Sequence, residues 1–188
     1  MITLESTELA QAHQYFAFTR GRLVDATTGL SEAQWRFKPA PDRWSIQEIL
    51  EHLAIVHERV FARIRQELPN GRTRPDAFNS QQVDAVVMQK IPDRSITAKA
   101  PDFIAPTGVL SPSESLERIF HSYERLSDYL ESTPDLRDHV LESPPLRVVT
   151  NGEHTLSDGY QWALTLAGHD ERHVRQIEEV KADPKYPA

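Results

Sequence analysis

Apolar positions along this chain recur by threes and fours in four long stretches, the spacing that gathers one stripe of an α-helix against a core. The first stretch runs from about Ser6 to Thr28. Its apolar or small positions are Leu9, Ala12, Phe16, Thr19, Leu23 and Ala26, and Gly29 is its stop. The second opens on Ser45-Ile46-Gln47-Glu48, a capping box in which the Ser45 hydroxyl accepts from the N–H of Glu48 while the Glu48 carboxylate reaches back. Trp44 and Ile49 flank the cap in the places of a hydrophobic staple. The stripe continues through Leu53, Val56, Val60 and Ile64 to about Leu68, where Pro69-Asn70-Gly71 ends it. The third starts on a second box, Ser111-Pro112-Ser113-Glu114, with proline at the first helical position, and carries Leu116, Ile119, Tyr123, Leu126 and Leu130. The fourth runs from about Ser157 to Lys181 and turns Tyr160, Leu164, Ala167, Val174, Ile177 and Val180 inward.

The connections suggest how these helices are arranged. A short link containing Trp35, Phe37, Pro39 and Pro41 makes the first and second helices antiparallel neighbours. The link from Gly71 to Leu110 is long for a structureless loop, and Ser80 to Lys90 reads as a short helix within it. Such a link can cross the bundle and set the third helix parallel to the second. Between the third and fourth, Val148 to His154 contains an Asn-Gly turn that suits a small hairpin. The expected fold is therefore all-α: a single domain over residues 1–188, a four-helix bundle in up-down-down-up order with a long crossover between helices two and three.

Composition narrows the function classes. At 188 residues, 39% hydrophobic and 26% charged, the chain is long enough to bury a core and ordinary for a soluble domain. A net charge of −7 without a basic run argues against a nucleic-acid partner. The absence of cysteine removes disulfides, thiolate metal sites and a cysteine nucleophile. Without a basic-apolar leader at Met1-Ile2-Thr3-Leu4-Glu5 or a membrane-length apolar run, the expectation is a cytoplasmic protein with no membrane partner.

The candidate chemistry lies in the fourth helix, in Ala167-Gly168-His169-Asp170-Glu171-Arg172-His173-Val174-Arg175-Gln176-Ile177. His169 and His173 project from one side of a helix, about one turn apart, so one divalent ion can take both imidazoles. With eight histidines in the chain, a solvated histidine-rich face gives the same spacing. His52 adds context. It shares the stripe of Ile49, Leu53 and Val56, about 10 Å into the second helix, while His173 lies about 13 Å from the end of the fourth. In antiparallel helices these depths match, and three inward imidazoles can form a tripod. Three protein ligands with an open position is the pattern of a catalytic metal site.

Other constellations carry less. His169-Asp170-Glu171-Arg172-His173 resembles a zincin motif, but aspartate replaces its general base and no downstream third ligand follows. Glu48, one turn before His52, is explained by its cap. Asp170 and Glu171 read as solvated helix charges, and Trp35 and Trp44 as core and staple residues. His57 lies about 140° around the helix from His52, too far to share its ion. His13, His121, His139 and His154 show no partner pattern and read as surface or loop residues.

The segment Phe37-Lys38-Pro39-Ala40-Pro41-Asp42-Arg43-Trp44-Ser45-Ile46-Gln47-Glu48-Ile49-Leu50-Glu51-His52-Leu53 resembles the helix-two signature of the DinB-like, YfiT-like metalloenzyme superfamily. His169, Arg172, His173, Gln176 and Ile177 resemble its second signature. The resemblance implies an up-down-down-up bundle, often a homodimer, holding a divalent metal, commonly zinc or nickel, on three histidines. These map to His52, His169 and His173. Relatives of this kind include S-transferases that use bacillithiol or mycothiol and a thiol-dependent isomerase, so an external low-molecular-weight thiol is an implied co-substrate. Gly71 to Leu110 matches nothing in that pattern and is a candidate lining for the pocket. Three readings follow: a metal-dependent enzyme acting on a small molecule through an activated water or external thiol (hydrolase or S-transferase), a non-catalytic metal-stabilised binding or stress-response module, and a metal-free helical interaction domain.

Overall fold

Capping boxes set the starts of all four long helices. The computed structural model describes residues 3–96 and 100–188. Helix α1 spans Ser6–Thr27 behind a box of Glu5 and Glu8, and Gly29 at φ +74° turns the chain beyond it. A five-residue helix, α2 (Glu32–Arg36), forms inside the link expected to be irregular, capped by Ser31 and Gln34. Helix α3 (Ile46–Glu67) starts on the expected box: the Glu48 N–H donates to Ser45 Oγ at 3.2 Å and the Ser45 N–H to Glu48 Oε2 at 2.8 Å. Helix α4 (Ser80–Lys90) occupies the long link as read from the sequence, with Asn79 as its cap. Helix α5 (Pro112–Ser132) begins on the Ser111 and Glu114 box. A short helix α6 (Pro144–Val149) precedes α7 (Gly159–Lys181), whose box is Asp158 with Gln161.

Side-chain contacts fix the helix directions. Tyr160 Oη donates to the Glu8 carbonyl at 2.9 Å where α1 and α7 begin, and Arg22 meets Glu178 at 2.6 Å near their ends, so these two run parallel. Gln47 Nε2 reaches the Leu110 carbonyl at 3.4 Å near the starts of α3 and α5, and Phe61 and Tyr129 pack edge-on at 5.8 Å near their ends. This pair is parallel too. Between the pairs the sense reverses: Arg63, late in α3, lies 5.0 Å over the ring of Trp162, early in α7. The order is up-down-down-up, as expected from the link lengths.

The apolar stripes meet in a core that includes Ile49, Leu50, Leu53, Ile119, Leu126, Leu164 and Ile177. Helix α7 is central, with 17 of its 23 residues buried. Three short antiparallel strands close the end of the bundle where α7 starts: β1 (Arg72–Thr73), β2 (His139–Glu142) and β3 (Leu156–Asp158), in that order. Val140 pairs with Asp158 and with Arg72. The hairpin read across Asn151-Gly152 is not formed there. Both residues take positive φ, at 50° and 86°, but α6 intervenes and the strands pair farther out. Beside the sheet, Arg137 is 2% exposed and meets Glu8, Asp84 and Asp158, each at 2.7 Å, and so ties α1 and α4 to the start of α7.

Candidate functional site

Three imidazoles meet between α3 and α7. His52 and His173 are buried and His169 is partly so. His52 Nε2 lies 3.4 Å from His169 Nε2, and His173 Nε2 lies 3.2 Å from the same atom. One nitrogen from each ring falls within 4.8 Å of the other two. The expected convergence of His52, His169 and His173 is therefore present. His57 points elsewhere, as its helix angle predicts.

Hydrogen bonds fix which nitrogens are free. His52 Nδ1 is 2.7 Å from the Ile104 carbonyl oxygen, which can only accept, so Nδ1 carries the proton and Nε2 keeps a lone pair. His173 Nδ1 is 2.8 Å from Gln176 Oε1, and Arg94 Nη1 donates to that same oxygen at 3.3 Å. A guanidinium has no acceptor, so the Gln176 atom facing Arg94 must be oxygen, and His173 must donate from Nδ1. Two lone pairs thus face His169 Nε2. A proton on that atom can satisfy only one of them. A proton on His169 Nδ1 would be buried without an acceptor among the described residues. In that second tautomer three lone pairs face one another, an opposition that a cation bound to all three relieves, so the donor set fits a metal ion; the His169 Nδ1–H then still has no acceptor among the described residues.

Electrostatics act in the same direction. Burial lowers the pKa of His52, and burial followed by repulsion from the neighbouring imidazoles holds His169 and His173 well below the usual range. All three are held neutral, the form that ligates. Trp44 lies against this group, 4.8 Å from the His52 ring and 6.3 Å from the His173 ring. It is therefore a cleft residue as well as a flank of the α3 cap, which reading it as a staple alone did not capture.

The histidines open into a cleft of about 880 Å³. Its cover comes largely from the segment that the sequence left unplaced: Ile91, Arg94, Ile96 and residues 100–105 line it. Two anchors hold that cover. Arg172 donates to the carbonyls of Asp93 and Ile96, and Arg94 makes a double contact with Glu179 at 2.7 and 2.8 Å. Glu51, next to His52, accepts from Thr107 Oγ1 at 2.8 Å and from the N–H groups of Gly108 and Val109 at 2.7 and 3.0 Å. Desolvation pushes the Glu51 pKa up, but these bonds together bring it below its usual value.

Two sequence readings are corrected. Asp170 is fully buried and Glu171 is 5% exposed, so neither is a solvated helix charge. Asp170 accepts from Tyr123 Oη at 2.7 Å and lies 2.9 Å from His57 Nε2, joining α7 to α5 and α3. A period reading gives a central helix one buried face, whereas α7 has neighbours on nearly every side. Glu48 bonds Lys38 at 2.9 Å in addition to its cap, so it serves the helix start. Among the remaining histidines, His121 is exposed beside Glu124, while His139 is partly buried in β2 with Nδ1 3.0 Å from the Gly71 carbonyl.

No helix among the described residues is long and apolar enough to cross a membrane. In sequence, the chain is similar to the uncharacterized protein YuaE of Bacillus subtilis (strain 168), at 23% identity over 155 residues, covering 81% of this chain and 86% of that one. In structure, it is similar to YfiT from Bacillus subtilis, described as a probable metal-dependent hydrolase with an unusual four-helix bundle topology. That match has a TM-score of 0.60 at 15% identity, with 95% of this chain and 89% of that chain covered. It supports the fold derived above from helix directions. The DinB superfamily profile matches residues 15–177, which include all three converging histidines. By that match over most of its length, the chain belongs to the DinB superfamily.

Proposed function

We propose that this protein is a metal-dependent enzyme in which His52, His169 and His173 hold a divalent ion through Nε2, and that it acts on a small molecule admitted by the adjoining cleft. The observation that carries this reading is the pair of fixed tautomers. Ile104 and Gln176 hold protons on Nδ1 of His52 and His173, and so aim two lone pairs at the third ring. A purely structural histidine cluster would have no use for that opposition. When bound, a divalent ion supplies Lewis acidity that makes a water or an external thiol nucleophilic near neutral pH. An all-imidazole set suits zinc or nickel. Hydrolysis is the reaction we infer, and it is also the class named for YfiT.

The chain's own residues prepare the site. Burial keeps the imidazoles neutral, Trp44 shields two of them from solvent on one side, and Arg94 fixes the amide that orients His173. Transfer to an external thiol is a second reading, favoured by a cleft whose volume lies near the upper end for one small ligand and can admit a co-substrate. The chain has no cysteine, so that thiol must come from outside.

Elemental analysis tests the assignment. The purified protein is expected to carry about one zinc or nickel per chain, and His173→Ala to lose it. Stoichiometric metal in that variant would refute the ligand set. A metal-replete protein inactive toward ester, amide and thiol-conjugation panels would favour a metal that only braces the bundle.

A further inference from the structure

The cleft has two chemically different ends. Because α3 and α7 are antiparallel, moving from His52 toward the end of α3 is moving from His169 toward the start of α7. Val56, Arg59 and Arg63 follow His52 along the cleft, and Leu166 and Trp162 follow His169. Seven residues separate His52 from Arg59 and His169 from Trp162, which is about 10 Å on each helix. The Arg63 guanidinium lies 5.0 Å over Trp162, so the two sides meet there, and that of Arg59 lies 5.5 Å over Phe103.

The arginines of the cleft are not equivalent. Arg94 is committed to Glu179, Arg43 lies 3.6 Å from the same carboxylate, and Arg172 is committed to two backbone carbonyls of the cover. Arg59 is exposed and has no carboxylate partner among the described residues. Arg63 pairs with Glu67, one turn away, at 2.9 Å, a surface pair of small worth. Asp102 of the cover also lines the cleft, next to Phe103, but it is exposed and makes no ion pair among the described residues. In a chain of net charge −7, the arginine side chains therefore give this end its cationic character, facing an apolar channel that leads to the histidines.

We propose that the cleft binds an elongated amphiphile: an anionic head at Arg59 and Arg63, an apolar body along Val56, Leu166 and Trp162, and the reacting group at the far end beside the three histidines. The last clause rests on the proposed function; the binding mode does not.

Octanoate, octanol and octylamine serve as probes of equal chain length, with binding followed by quenching of tryptophan fluorescence. Titrations are run on metal-loaded and chelator-treated protein whose metal content is measured. Octanoate is expected to bind about tenfold or more tightly than the other two, the worth of one charge-assisted contact. The Arg59→Gln, Arg63→Gln double variant, checked for fold by circular dichroism, is expected to lose that preference while keeping its octanol affinity. Equal binding of the three probes overturns the proposal. So does a preference that survives the double variant, and if that surviving preference disappears on metal removal, the head sits at the histidines and the metal assignment stands. A preference that depends on the arginines in a protein that takes up no metal supports the amphiphile site and refutes the metalloenzyme reading.

Discussion

Replacing Gln176 with leucine isolates the orientation of one proposed ligand. Gln176 is 9% exposed, and its Oε1 accepts from His173 Nδ1 at 2.8 Å and from Arg94 Nη1 at 3.3 Å. Leucine has a similar size and no acceptor. The His173 ring then loses the bond that keeps its proton on Nδ1, and Nε2 is free to carry it instead. Loss of such a supporting partner lowers metal affinity about 10- to 100-fold, or about 1.4 to 2.7 kcal/mol. Leaving a buried N–H without its acceptor costs about 1 to 3 kcal/mol, so two independent routes give the same magnitude. The assay is competition for zinc against a chelator of known affinity, with cobalt spectra reporting the donor set. Gln176→Glu keeps an acceptor at the same reach and is expected to restore affinity. A leucine variant that binds zinc within twofold of the unaltered protein would refute the orientation argument.

Three further outcomes follow from the same contacts. First, the metal-free protein is expected to lose stability as pH falls below about 6.5. The unfolded chain takes up imidazole protons there, while the folded His52, His169 and His173, with pKa values lowered by burial, do not. Their contribution is complete above that pH, and a melting temperature at pH 5 equal to or above that at pH 7.5 would contradict it. Second, Asp170→Ala leaves two buried donors, on Tyr123 and His57, without their acceptor and is expected to cost about 2 to 6 kcal/mol in urea unfolding. A loss under about 1 kcal/mol would show that the network is dispensable. Third, Gly159→Ala puts a Cβ 2.6 Å from both Leu136 Cδ2 and Leu68 Cδ2, an overpacking expected to cost about 1 to 3 kcal/mol. An unchanged melting temperature would show that both side chains move aside freely.

The helices were legible because their signals are local. A Ser45 hydroxyl and a Glu48 carboxylate three residues apart define a start without help from the rest of the chain, and the same holds for Ser111 with Glu114. The pair Asp158 and Gln161 forms an equally local box that was open to the same reading. Helix period also placed His169 beside His173 and kept His57 away from His52, since angles around a single axis follow from residue number. Link lengths were enough to order the bundle.

What the sequence could not carry is whatever depends on a second element packing against the first. Asp170 looked solvated because one helix period shows one buried face, yet α5 and α3 reach its other side with Tyr123 and His57. Trp44 became part of the cleft, and Ile91, Arg94, Ile96 and residues 100–105 its cover, only once α3 and α7 packed at one depth. The tautomers of His52 and His173 depend on Ile104, Gln176 and Arg94, groups brought into place by the folded cover and the turn of α7. Sequence alone thus determined the four long helices, their order and the three candidate rings, because those follow from short-range periodicity and link length, while the short helices α2 and α6 were not read from it. The direction of each lone pair, the buried partners of Asp170 and the two-ended cleft were decided by tertiary structure, because hydrogen bonds and burial depend on what lies across the interface.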